Sequence, residues 1–119
     1  MAGKKNWKKE IKRGNITLCL LYLLEEEPMY GYQIITELRE RSGGYFDLKE
    51  GTIYPALYRM EKEGFVKSEW LQKDNKPPRN YYTITPSGRV RMQDTMQEWI
   101  TMVMAIRKVM DKNKGDDEQ

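Results

Sequence analysis

The spacing of the apolar side chains changes once along this chain, close to Gly64. Before that residue, apolar side chains recur every three or four positions, which is the spacing of one helix face. This pattern predicts helices over residues 11–25 and 32–41, and a third that begins near residues 51–52 and ends at Gly64. The first half of the chain is therefore predicted to be a three-helix unit.

Beyond Gly64 the residues favour strands and then a further helix. Residues 65–71 and 81–84 have the composition of short strands, and the loop between them contains two prolines that bar a regular ladder. Thr85-Pro86 is typical of a helix start, and this last helix should run to about Met110. Three helices, a β-hairpin and a helix predict a mainly α (α+β) fold, a winged helix-turn-helix with a C-terminal dimerisation helix.

The composition excludes most enzyme chemistry. The chain has no histidine and one cysteine, Cys19, which we interpret as a small buried hydrophobe. Together with the lack of a Gly-rich phosphate loop, this predicts no catalytic residues, no metal site and no cofactor. The apolar run over residues 16–24 is too short to span a membrane and precedes no small-residue cleavage site, so we expect a cytoplasmic protein.

Charge divides the chain into segments. Six of the first 13 residues are Lys or Arg and one is Glu, whereas residues 14–110 are balanced. We predict a flexible basic arm (1–10), a DNA-binding winged helix-turn-helix domain (11–85), a dimerisation helix (86–110) and a flexible tail (111–119). A basic arm indicates a polyanionic partner, although a solvated, frayed terminus would have the same composition.

The third helix and the hairpin loop carry the candidate DNA contacts. If Ile53, Leu57 and Met60 point inward, the outward face comprises Thr52, Pro55, Ala56, Tyr58, Arg59 and Lys62. Hydroxyls, aromatic rings and cations are the groups that read base edges and phosphates. We predict that double-stranded DNA contacts Thr52, Tyr54, Pro55, Tyr58, Arg59 and Lys62 of the helix and Lys73, Lys76 and Arg79 of the loop. The alternatives are an ordinary solvated face and a winged helix that binds protein.

Three sequence blocks resemble the PadR family of bacterial transcriptional regulators. They are residues 30–34 (YGYQI), 50–64 (EGTIYPALYRMEKEG) and 79–88 (RNYYTITPSG), in the order found in that family. The single last helix is similar to the compact branch of the family. The resemblance implies a homodimeric repressor whose winged helices bind a palindromic operator and release it when a ligand binds.

The last helix independently predicts a homodimer. Its apolar residues follow one another at intervals of 4, 3, 4, 3 and 4, which is a heptad seam: Met92, Met96, Trp99, Val103, Ile106 and Met110. A domain of this size has little core left for six such side chains. The alternative, packing within the chain itself, applies best to the first turn.

Trp99 is the candidate ligand platform, and Met96, Met102 and Val103 surround it on the same helix. It resembles a tryptophan of the multidrug-responsive members of the family, where the pair of rings in the dimer sandwiches flat aromatic ligands. The resemblance thus implies a small planar aromatic ligand, whereas the alternative is a tryptophan that only fills the interface. Trp70 is interpreted more simply, as a strand residue that covers the core.

Overall fold

A computed structural model describes residues 2–111 of the chain, with side chains from residue 7 onward. The described elements are, in chain order, α1 (Ala2–Glu26), β1 (Met29–Tyr30), α2 (Gly31–Arg41), α3 (Glu50–Lys62), β2 (Val66–Leu71), β3 (Arg79–Ile84) and α4 (Pro86–Met110). The strands form one antiparallel sheet in the order β1-β3-β2. The predicted succession of three helices, a hairpin and a last helix is confirmed.

The core lies where α1, α2 and α3 meet the sheet. Leu20, Leu21, Ile34, Ile53 and Leu57 are completely buried there. These side chains come from three helices at the helical spacing read from the sequence, so burial of one stripe per helix stabilises the unit.

Cys19 is half-buried against this core. Burial raises the pKa of its thiol, because the charged thiolate would lose its hydration. The thiol therefore stays neutral at pH 7 and packs like a small apolar side chain.

The predicted start of the first helix near Ile11 is wrong, because α1 already begins at Ala2. Residues 2–10 are rich in Lys, together with Ala and Glu, all of which have high helix propensity. The segment predicted as a separate arm is thus the first part of α1. Of the predicted tail, only Asp111 is among the described residues.

Strand β1 was not predicted. It is two residues long, and its partners Tyr81 and Tyr82 lie some fifty residues later, so no local pattern marks it.

The end of α1 is held by ion pairs, in which Arg41 of α2 contacts Glu26 and Arg89 of α4 contacts Glu25, both at 2.8 Å.

The hairpin and α4 join the end of α3 through Thr85. Its side-chain hydroxyl accepts a hydrogen bond from the Gly88 amide (3.0 Å) and donates one to the Gly64 carbonyl oxygen (2.6 Å). A Cβ atom at Gly88 would lie 2.8 Å from Cγ1 of Ile84 and closer still to the Phe65 carbonyl oxygen. The start of α4 therefore packs against the turn after α3 so closely that the two backbones are in contact. The predicted cap at Thr85-Pro86 is confirmed.

Candidate nucleic-acid interface

Helix α3 has one buried and one exposed face. Ile53, Leu57 and Met60 are buried, as predicted. The outward placement of Ala56 is wrong, because Ala56 is also buried. It lies three residues after Ile53 and four before Met60, so helical geometry puts it on the same stripe. The remaining predicted contacts of this helix are exposed to solvent: Thr52, Tyr54, Pro55, Tyr58, Arg59 and Lys62.

The loop between β2 and β3 and the first residue of β3 carry cations held against aromatic rings. The Arg79 guanidinium lies 4.2 Å from the centroid of the Tyr30 ring, and Lys73 Nζ lies 4.5 Å from that of Tyr81. Lys76 is exposed, close to the positive-φ turn at Asp74. Because Arg79 and Lys73 stack on rings of the sheet, their charges have preferred positions before any anion arrives.

An open groove of about 680 Å³ separates α3 from the hairpin. Its walls come from four parts of the chain: Tyr30, Gly31, Tyr32, Tyr54, Trp70, Pro78, Arg79, Asn80 and Tyr82. Tyr54 of α3 and Arg79 of the hairpin, which were predicted separately, therefore line one surface. The sequence reasoning missed Tyr30, Tyr32 and Trp70 as members of this surface, although the Tyr-Gly-Tyr block was a visible signal.

Trp70 does not cover the core, because 70% of its surface is exposed. It pairs with Asn80 near the far end of the hairpin, beyond the last core residue of β2. The strand is longer than the sheet face that the helices cover, so its last residues project past the core. The interpretation of Trp70 as a core residue is thus wrong, and the ring belongs to the groove.

Two residues that line the groove, Asn80 and Tyr82, carry polar groups. The Asn80 Oδ1 atom is buried and, among the described residues, has no hydrogen-bond partner. Burial raises the pKa of Tyr82, and the nearby Glu61 carboxylate and Tyr54 raise it further. The Tyr82 phenol therefore remains neutral at pH 7 and can donate a hydrogen bond.

The predicted seam on α4 divides into a buried start and an exposed remainder. Met92 is buried in the chain's own core, and Met96 is packed against that core. Farther along, Trp99 is 40% exposed, Val103 is half-buried, and Ile106 and Met110 are open to solvent. The first turn therefore packs within the chain, as the alternative interpretation allowed.

The exposed apolar surface of α4 extends beyond the seam. Ile100, Met102, Met104 and Val109 are also at least 40% exposed. Exposed apolar side chains concentrated on one helix in this way are typical of a partner-binding surface.

The described residues contain no cluster of acidic, histidine or cysteine side chains that could hold a metal ion. Within residues 2–111, no helix has the length and apolar character needed to cross a membrane.

The comparisons with known proteins agree with this geometry. The profile of the family described as "Transcriptional regulator PadR-like family" matches residues 20–94, more than half of the chain. This chain belongs to the PadR-like family. The predicted resemblance and the winged-helix fold class are thereby confirmed, and a PadR-like protein is a transcriptional regulator rather than an enzyme.

Individual transcriptional regulators support the assignment. A transcriptional regulator from Clostridium thermocellum is 33% identical in sequence, with a TM-score of 0.76 over 83% of this chain and 96% of that one. The negative transcriptional regulator PadR of Bacillus subtilis is 31% identical over 76 residues, which are 64% of this chain and 42% of that protein. A crystal structure of Bacillus subtilis PadR with operator DNA has a TM-score of 0.61 and 28% identity, over 68% of this chain and 46% of that one.

Proposed function

We propose that this PadR-like regulator is a homodimeric repressor that binds a palindromic operator. In this proposal the exposed face of α3 enters the major groove, and the hairpin loop contacts the adjacent backbone phosphates. A small planar aromatic ligand bound beside Trp99 releases the operator.

The observation that carries the proposal is the groove shared by α3 and the hairpin. Tyr54 and Arg79 line the same open surface, so α3 and the β2–β3 hairpin could contact one DNA duplex together. The same helix and hairpin loop also expose four positive charges, at Arg59, Lys62, Lys73 and Lys76. The basic balance of this region and the operator complex of the Bacillus subtilis relative both favour DNA as the partner.

The exposed apolar residues of α4 support the homodimer. Between residues 99 and 110, a helix surface rich in Trp, Ile, Met and Val remains largely exposed in the described part of the chain. A second copy of the same helix, packed along the seam from Trp99 to Met110, would bury this surface. Two winged helices would then face a DNA duplex with two-fold symmetry, which is why the operator should be palindromic.

The ligand response is proposed for the same helix. Trp99 exposes enough of its ring to stack with a second ring, and Met96, Met102 and Val103 provide an adaptable apolar lining. Release requires the ligand to favour one dimer geometry over the other, since equal affinity for both would shift nothing.

The decisive experiment measures binding to duplex DNA from the region upstream of the protein's own gene as a function of salt. Phosphate contacts release counterions, so the logarithm of the affinity should fall linearly with the logarithm of the salt concentration. A palindrome with half-sites one or more turns apart, about 34 Å per turn, should bind best. If binding to every duplex is weak and independent of salt, the protein is a winged-helix module for protein partners instead.

A further inference from the structure

A second cleft lies on the other side of α3, between this helix and α1. We refer to it as the α1–α3 cleft; its volume is about 500 Å³, and it is lined by Arg13, Ile16, Thr17, Gly51, Thr52, Pro55, Ala56 and Arg59. Ile16 and Ala56 are buried and form its floor. The two arginines and the two threonines provide its polar groups. Each helix thus contributes one guanidinium and one hydroxyl.

The charges of the α1–α3 cleft are unbalanced. No acidic side chain lines it. Among residues 7–111, the ion pairs within 4.0 Å involve Arg41, Lys49 and Arg89, and neither Arg13 nor Arg59 takes part in one. Two guanidinium groups without a carboxylate create a positive potential, and their planar donors match the oxygens of a phosphate group.

We propose that the α1–α3 cleft holds a phosphate of the DNA backbone, which makes α1 a third DNA-contacting element beside α3 and the wing. Arg13 and Arg59 bind the phosphate oxygens, and the hydroxyls of Thr17 and Thr52 donate to the same oxygens. This inference rests on the proposed function, since Thr52 and Arg59 belong to the exposed face of α3 that enters the major groove. A duplex seated on that face passes one of its backbones along this edge of the helix.

The continuation of α1 supports a backbone contact rather than a site for an isolated ion. Lys9, Arg13 and Thr17 follow at intervals of four residues, so they lie along one side of the helix, about 6 Å apart per step. Trp7 and Ile11 lie two residues before Lys9 and Arg13, roughly 200° around the axis. Lys9 therefore continues the row of Thr17 and Arg13 beyond the cleft, on a different side of α1 from the exposed apolar residues Trp7 and Ile11.

The test uses the full chain and two variants of one residue. Arg13→Gln removes the charge, and Arg13→Lys keeps the charge but lacks the planar donor pair. For each protein, the dissociation constant is measured between 50 and 200 mM KCl on the operator and on a scrambled duplex. Because Arg13→Gln no longer neutralises one phosphate, its affinity should fall about 3.5-fold less than that of the parent over this range. Arg13→Lys should keep the parent slope and bind both duplexes more weakly.

Arg91→Gln is the matched control, because it removes the same charge from α4 at a residue that does not line the cleft. Its salt dependence should equal that of the parent. Sodium phosphate added at constant ionic strength tests whether the cleft binds free phosphate and not a phosphate of the DNA backbone. Competition with DNA that occurs in the parent and disappears in Arg13→Gln would show that the DNA backbone occupies the cleft, whereas phosphate that binds the parent through Arg13 without weakening its DNA binding would identify a site for free phosphate and overturn the backbone assignment.

The outcomes separate this inference from the proposed function. If the parent binds DNA with the expected salt dependence and Arg13→Gln has the same slope and affinity, the α1–α3 cleft does not hold a phosphate. A changed sequence preference, or dissociation of the Arg13→Gln dimer in sedimentation, would also overturn it. If the parent itself shows no salt-dependent DNA binding, the proposed function fails.

Discussion

The ring of Tyr54 lies directly against the backbone of Gly31. A Cβ atom added to Gly31 would lie 2.6 Å from Cε1 of that ring and closer still to its hydroxyl oxygen. Real side chains do not approach so closely, so α2 can begin here only with glycine while Tyr54 keeps its position. Two residues that are 23 positions apart in the chain are therefore fitted to each other, and the position of Tyr54, one of the predicted DNA contacts, depends on the fit.

Gly31→Ala should lower the free energy of unfolding by about 1–3 kcal/mol, because the added methyl group overpacks the contact with Tyr54. Urea unfolding at a fixed protein concentration measures the loss. Gly14→Ala is the control: a Cβ atom there has nothing within 4 Å, so it should stabilise α1 by about 0.5–1 kcal/mol. If the effect of Gly31→Ala is the same in a Tyr54→Ala background, the ring is not the cause.

Val103→Glu combined with Ile106→Glu should convert the proposed dimer into monomers, since four carboxylates would lie in one apolar seam. Sedimentation velocity measures the change, and DNA binding should weaken with it. The control is Thr101→Glu with Ala105→Glu, which places the same charges on the opposite side of α4 and should leave the dimer intact. A dimer that persists in the first variant contradicts the seam.

Lys76→Ala should weaken binding to every duplex by the same factor and reduce the salt slope by about one, because Lys76 is predicted to contact a phosphate. Tyr58→Ala, on the exposed face of α3, should instead reduce the preference for the operator over a scrambled duplex and leave the slope nearly unchanged. Binding titrations on both duplexes at several salt concentrations distinguish the two roles. The assignment is wrong if Lys76→Ala alters the preference while keeping the slope.

Planar aromatic dyes should bind the dimer with micromolar affinity, about −8 kcal/mol, and quench its tryptophan fluorescence. Stacking on Trp99 should contribute about 0.5–1.5 kcal/mol for each ring pair beyond burial. Trp99→Ala should therefore abolish most of the quenching and weaken binding, whereas Trp70→Phe should change neither. Equal affinity in the parent and in Trp99→Ala would leave Trp99 as a side chain that only fills the interface.

Features with a local cause could be predicted from the sequence. The start of α4 follows from Thr85-Pro86, because the capping hydrogen bond from the Gly88 amide to the Thr85 hydroxyl lies within one turn. The inward stripe of α3 follows from helical spacing, and the same spacing would have placed Ala56 correctly. The start of α1 was misjudged because a run of lysines has the composition of a solvated arm and also of a stable helix.

Features assembled from distant segments could not be predicted. Strand β1 exists because Tyr30 pairs with Tyr81, and a two-residue strand carries no periodicity of its own. The groove beside α3 needs Tyr32, Tyr54 and Trp70 from three separate elements. The α1–α3 cleft likewise needs Arg13 and Arg59, which are 46 positions apart in the chain. Both residues line one cleft only because the whole fold brings α1 and α3 together, and no single stretch of sequence contains that information.

The Thr85 hydroxyl anchors one end of the long helix α4 to the end of α3. Its two hydrogen bonds connect the first turn of α4 to the turn that ends α3, and Gly88 lets the two segments pack closely. Helix α4 has 25 residues and is about 37 Å long. A tilt of about 5° at such a pivot displaces the far end of α4 by roughly 3 Å. A partner helix that displaces the far end of α4 by this distance would therefore change the angle between α4 and α3 by about 5°.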